Sequence, residues 1–170
     1  MSTGTTITPQ PPFNNTTAIS EENLQLLLQI STQLSSTHHL GDLLRLVMGA
    51  ATELTFTEKA SILLVNQQTG ALHFTASTHI VGLESLVVPM EGSIAGWVVQ
   101  NGRSVIVDDA QSDDRFYSSI DQELDSITHS MIAVPLINQK GPIGTLEVLN
   151  KRDGSPYSER DVALLETLAS

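Results

Sequence analysis

The chain is 170 residues long, 40% hydrophobic and 16% charged, proportions that fit one soluble globular domain with room for a tail. Its formal net charge of -11, with only 8 Lys+Arg, supplies no basic footprint for nucleic acid and opposes an anionic membrane surface. Cysteine is absent, which removes disulfides, thiolate nucleophiles and thiolate metal sites together. No apolar run approaches the roughly 20 residues that span a bilayer and the start is not that of a signal peptide, so a cytoplasmic location is expected.

Residues 1–20, rich in Thr, Pro and Asn, are predicted to be a disordered leader, with one domain running over 21–170. From Glu21 the pattern is helical. Leu24, Leu27, Leu28 and Leu34 form an apolar stripe that Leu26 and Ile30 widen, and the spacing of Leu27, Ile30 and Leu34 suits a partner helix, hence a homodimer. After a break over 35–39, which holds His38 and His39, a second helix carries Leu40, Leu43, Leu44, Val47, Ala50, Ala51 and Leu54. The N-terminal helices therefore span 21–54.

The period then changes. Segments 60–65 and 72–77 read as a hairpin around the loop 66–70, and 87–90 as a short strand. Ser93 opens a helix over 94–100 that Asn101-Gly102 stops. A strand at 104–107, a polar loop at 108–114 and a helix over 115–124 follow. Segments 131–137 and 143–150 form a second hairpin around 138–141. Ser158-Glu159-Arg160-Asp161 resembles a capping box and starts a last helix, 158–170, through Val162, Leu165 and Ala169. That pattern reaches Ser170 without a Gly or Pro stop, as in a fragment or a helix that finishes against a partner. The total is an α+β fold with about six strands in a mainly antiparallel sheet. The strands at 60–65 and 131–137 lack a clean polar face, so terminal helices are expected on one side of the sheet and the segment 78–130 on the other, with a hollow beneath it.

Three stretches, in this order and spacing, resemble consecutive segments of the GAF domain family: Val88-Pro89-Met90-Glu91-Gly92-Ser93-Ile94-Ala95-Gly96-Trp97, then Val107-Asp108-Asp109-Ala110 with Arg115-Phe116, and finally 130–136 with Ile143-Gly144-Thr145-Leu146-Glu147-Val148-Leu149-Asn150-Lys151. The resemblance covers 22–170. It implies a six-stranded antiparallel sheet, a helical bundle on one face, and loops and short helices enclosing a small-molecule pocket on the other. Members commonly precede kinases, cyclases, phosphodiesterases or transcriptional activators, and often dimerise through their terminal helices. Free methionine sulfoxide reductases share this fold but act through cysteine, as does covalent bilin attachment, so the absence of cysteine excludes both.

Cyclic-nucleotide-binding members carry an Asn-Lys pair, a later Phe, and then Asp-Glu. Here Asn150-Lys151, Tyr157 and Asp161-Val162 stand instead, with two departures. A strand end followed by a helix cap explains these residues more simply, although the resemblance implies a salt bridge between Lys151 and Asp161. For a pocket in general, Trp97, Phe116, Tyr117, Ile120 and Met131 are the apolar candidates, and Asp121, Thr128 and Glu147 the polar groups that would orient a ligand. Trp97, on its helix, reads first as a core residue and second as a ligand contact. Glu147 faces solvent on the plainer reading, or is a pocket carboxylate with a raised pKa on the other. Ser93 reads as a helix cap or as the edge of an anion site. His73, His79 and His129 lack metal-ligand spacing, no metal is expected, and Asp108-Asp109 and Asp113-Asp114 fit caps and turns.

These features predict a non-catalytic sensory or regulatory domain that binds an unidentified small molecule and signals through its terminal helices to a downstream output domain. Two other readings stand beside it: a ligand-free dimerisation or spacer domain, which a cavity below roughly 300 Å³ would favour, and a cyclic-nucleotide-binding domain. A hydrolase or reductase comes last, since no nucleophile–base constellation stands out.

Overall fold

The computed structural model describes residues 21–34, 40–82 and 85–170. The predicted leader, the break at 35–39 with its two histidines, and the side chain of Leu34 lie outside the described residues. In chain order the elements are α1 (Glu21–Leu34), α2 (Leu40–Thr55), β1 (Thr57–Val65), β2 (Leu72–Ser77), β3 (Val87–Val88), α3 (Ile94–Asn101), β4 (Val105–Val107), α4 (Ser119–Leu124), β5 (Met131–Asn138), β6 (Gly141–Lys151) and α5 (Glu159–Leu168).

The strands make one sheet in the order β3-β2-β1-β6-β5-β4, and every neighbouring pair is antiparallel. Successive side chains on a strand point to opposite faces, so the two sides of the sheet receive different residues. Ala60, Ile62, Ile132, Val134, Leu146 and Val148 pack with Met48 and Ala51 of α2 and Leu165 of α5. On the other side Met131 and Ala133 join Ile94 and Val98 of α3, and Leu63 joins Ala95. Both faces are covered, as the missing polar alternation in β1 and β5 predicts.

Local chemistry sets the turns. Asn66 Oδ1 accepts the N–H groups of Gln68 and Thr69 at 2.8 and 3.1 Å, closing the first hairpin loop. In the second, Asn138 Oδ1 accepts the Lys140 N–H at 2.8 Å, and Gly141 takes a φ of 121° that a side chain would resist. Ser93 caps α3 by accepting the Gly96 N–H, and Gly102 ends it in the left-handed conformation. The capping box at Ser158 and Asp161 is formed.

Three expectations need correction. The helix predicted over 115–124 begins only at Ser119. Asp113 accepts the Arg115 backbone N–H and grips its guanidinium at 2.9 and 2.7 Å, a local bond that competes with the helix ladder. The strand expected over 87–90 stops at Val88, because Pro89 has no N–H to donate. Ile30, read as part of a partner-facing stripe, is only 4% exposed where α1 lies against α2, so that stripe is partly consumed within the chain.

No helix among the described residues is long and apolar enough to cross a membrane. Gly49 lies in the interior of α2, with no neighbour a Cβ would strike. Gly49→Ala is expected to stabilise the chain by about 0.5–1 kcal/mol by reducing the freedom of the unfolded state. Chemical denaturation checks it, and a loss of stability would show that α2 is tighter at this position than its surroundings indicate.

Candidate functional site

A cavity of about 60 Å³ lies between the sheet and the α3–α4 layer. Its floor is Lys59, Ser61 and Leu63 of β1, Met131 of β5, and Glu147 and Leu149 of β6. Ile94 and Ala95 of α3, with Phe116, Tyr117, Ile120, Asp121, Leu124, Ser126 and Thr128, roof it, and Phe74, His79, Ile80 and Val88 close the side. Seven of the eight predicted site residues therefore meet around one space: Phe116, Tyr117, Ile120, Asp121, Thr128, Met131 and Glu147. Trp97 does not line it. Its ring packs with the cluster of Ile94, Val98 and Val107 and carries the Arg115 guanidinium 4.9 Å from its centroid.

Glu147 overturns the solvent-facing reading. Pairing of Ser61 with Glu147, and of Glu147 with Ala133, places it on the central strand's roofed face, where it is 7% exposed. Burial raises its pKa from 4.5 to about 7, because the charged form loses its water, and the Thr145 hydroxyl acts in the opposite sense. Asp121, by contrast, is satisfied within the chain. Its two carboxylate oxygens accept the Thr128 N–H at 2.6 Å and the Thr128 hydroxyl at 2.8 Å, which fastens α4 to the segment entering β5.

Lys59, Ser61 and His79 escaped the sequence reading. β1 begins at Thr57, so Lys59 lies in the strand but before the apolar run read at 60–65, and Ser61 is a lone polar residue inside that run. His79 Nδ1 lies 2.9 Å from Ser77 Oγ. Its pKa falls to about 4, chiefly through burial and then through the Lys59 charge, with Asp121 acting in the opposite sense. The imidazole is neutral at pH 7.

The remaining polar candidates are structural. Asp109 accepts the Ser112 hydroxyl at 2.7 Å, and Asp113 is held by Arg115. Ser93 donates its hydroxyl to the Pro89 carbonyl at 2.5 Å while it caps α3. Asn150, at a left-handed φ of 59°, accepts the N–H groups of His129 and Ser130 at 2.7 and 3.3 Å and donates to the Ile127 carbonyl at 3.0 Å. Next to it the Lys151–Asp161 bridge is formed at 3.1 Å. Among the described residues no three His, Asp or Glu side chains are grouped to hold a metal ion.

The two perturbed groups that line the cavity impose opposite pH trends. Glu147 holds its proton better folded than unfolded, so its contribution to stability falls as pH rises from about 4.5 to 7. His79 holds its proton less well folded, so its contribution falls as pH drops from about 6.5 to 4. Glu147→Gln separates them. The variant is expected to exceed the parent by about 1–2 kcal/mol at pH 8 and to match it near pH 5, measured by urea unfolding. A difference independent of pH would place the carboxyl's titration elsewhere.

A family model described as GAF domain matches residues 37–170. A probable 3',5'-cyclic phosphodiesterase of Caenorhabditis elegans is 26% identical over 134 residues, covering 72% of this chain and 18% of that protein. The chain thus spans less than a fifth of the curated relatives it matches. Among solved structures, the GAF domain of an Acinetobacter phosphoenolpyruvate-protein phosphotransferase is similar with a TM-score of 0.75, 22% identity, and coverage of 89% of this chain and 90% of that one. A free methionine-R-sulfoxide reductase of Neisseria meningitidis, in complex with its substrate, gives a TM-score of 0.71 at 18% identity, with 89% and 88% covered. At such identities the structural likeness carries the fold alone.

Proposed function

The chain belongs to the GAF domain family, and we propose that it is a non-catalytic, cytoplasmic sensory module whose α3–α4 roof closes over a small molecule and biases its terminal helices. The observation that carries this reading is the cavity itself. A solid core has no use for a buried Glu147, with half-buried Lys59 and His79 beside it, around one hollow, since a buried polar group costs free energy unless something satisfies it. Signalling requires the ligand to bind open and closed roofs unequally, and a difference of a few kcal/mol suffices. The methionine sulfoxide reductase shares the fold, but this chain has no cysteine to carry thiol chemistry.

The size of the hollow supports a second reading. About 60 Å³ is well below the roughly 300 Å³ of typical ligand sites and holds a few waters, as in a spacer domain packed shut. A cyclic nucleotide, suggested by the phosphodiesterase relatives, is far larger than this space and requires the roof to open. Native mass spectrometry of freshly purified protein, followed by thermal titration with cGMP and cAMP, separates the readings. A co-purified adduct or a saturable rise in Tm supports the sensor; neither, across a broad metabolite set, leaves the spacer. The homodimer remains part of the proposal, now resting on Leu24 and Leu40, which are 49% and 67% exposed on the N-terminal helices. Leu24→Glu with Leu40→Glu is expected to convert a dimer to monomer in light scattering, and a parent that is already monomeric removes it.

A further inference from the structure

We propose that the cavity selects a small organic cation, an amine head on a short apolar body, which the Glu147 carboxylate grips from the floor. The inference rests on the ligand-binding reading above and adds the ligand's chemistry. Glu147 is 7% exposed, lines the cavity, and projects from the middle of β6 between Ser61 and Ala133. Its cross-strand neighbour Ser61 already donates to Ser77 at 3.3 Å. Asp121, the other carboxylate of the cavity, has both oxygens occupied by Thr128. Of the cavity's two carboxylates, Asp121 is therefore committed to holding the roof, and Glu147 is the one left to face the hollow.

Charged and titratable groups around Glu147 come from three directions. Lys59 of β1, His79 after β2, and Tyr117 and Asp121 of the roof line the same hollow, whereas its lining residues from α3 and β5 (Ile94, Ala95 and Met131) are all apolar. The fields of Lys59 and Asp121 act on His79 with opposite signs, so the rim pair partly cancels. What remains at the floor is a carboxyl that ionises only at a desolvation cost, and a ligand N–H of positive charge offsets that cost directly through a charge-assisted hydrogen bond. An anion meets a like charge there, within a chain of net charge -11. Leu63, Phe74, Ile120 and Leu149 supply walls for an apolar tail.

Three probes of nearly equal shape test this on the whole chain: butylamine, butyramide and butyrate, followed by NMR titration at pH 6 and pH 8. Butylamine is expected to bind about tenfold tighter than butyrate at pH 8, and to weaken at pH 6 as Glu147 takes up its proton. Glu147→Gln should erase the preference for the amine; the parent's pH profile keeps the test intact if that variant folds poorly. Equal or tighter binding of butyrate, or an amine affinity independent of pH, overturns the proposal while leaving the ligand-binding reading standing. Failure of all three probes to bind overturns the proposal, and the adduct search above then decides the broader reading separately.

Discussion

Gly96→Ala is expected to cost about 3 kcal/mol. A Cβ at Gly96 runs into the carbonyl oxygen of Met90, a backbone atom that no rotamer change can move aside. The close approach is built in from both sides. Ser93 donates to the Pro89 carbonyl and accepts the Gly96 N–H at 2.9 Å, drawing the first turn of α3 onto the strand exit. Relief therefore requires α3 to lift. Lifting it carries Ile94 and Ala95 off the cavity and loosens their packing with Val98 and Leu63. Gly49→Ala, with the same chemistry on a helix with open space around it, should have the opposite sign. Urea midpoints of the two variants decide the point, and a Gly96→Ala loss under about 0.5 kcal/mol means that α3 floats and does not set the height of the roof.

The contrast between these glycines shows what the sequence reveals and what it withholds. Helix starts and stops are local, and Ser93, Gly102 and the Ser158–Asp161 box mark them within four residues of chain. The four strands of the two hairpins are legible because their apolar runs are bounded by Asn- and Gly-containing loops whose side chains close the turns. Register is not local. Whether Glu147 faces water or the hollow depends on β6 lying between β1 and β5, and on which face the helices α2 and α5 cover. That same non-local fact hides Lys59 and Ser61, which sit more than 80 residues before their β6 partners. Asp113 shows a different limit: a single carboxylate clasping Arg115 delays α4 to Ser119, where periodicity places a helix from 115. Ile30 shows a third, because an a/d-like stripe fits a helix of the same chain as well as one from a partner.

Asp161→Ala is expected to be the most damaging single change at the end of the chain, at about 3–5 kcal/mol. The carboxylate does two jobs at once. Its Oδ2 accepts the Ser158 N–H at 2.9 Å, the return half of the capping box, and pairs with Lys151 Nζ at 3.1 Å, with the two side chains only 9% and 12% exposed. Losing the cap costs about 1 kcal/mol; the larger share comes from leaving the Lys151 ammonium buried without its counter-ion, above the Tyr157 ring at 5.5 Å. A double-mutant cycle distinguishes these parts. Its corners are Asp161→Asn, Lys151→Met and the two together; the double variant removes both charges while keeping a capping oxygen, so it should recover most of the loss that Asp161→Asn alone incurs, with a coupling of about 2 kcal/mol. Simple additivity would show that the bridge is solvated and contributes little. On the proposed sensor reading the bridge would also lie on the signalling route, because Lys151 follows Asn150, whose side chain holds the His129 and Ser130 amides immediately after the cavity residue Thr128. A ligand that moved the roof would pull on this knot, and through Asp161 on the first turn of α5. In the rescued double variant, stability returns but the ion pair does not. If the bridge carries the signal, ligand binding should then leave α5 amide exchange unchanged, whereas in the parent it should slow.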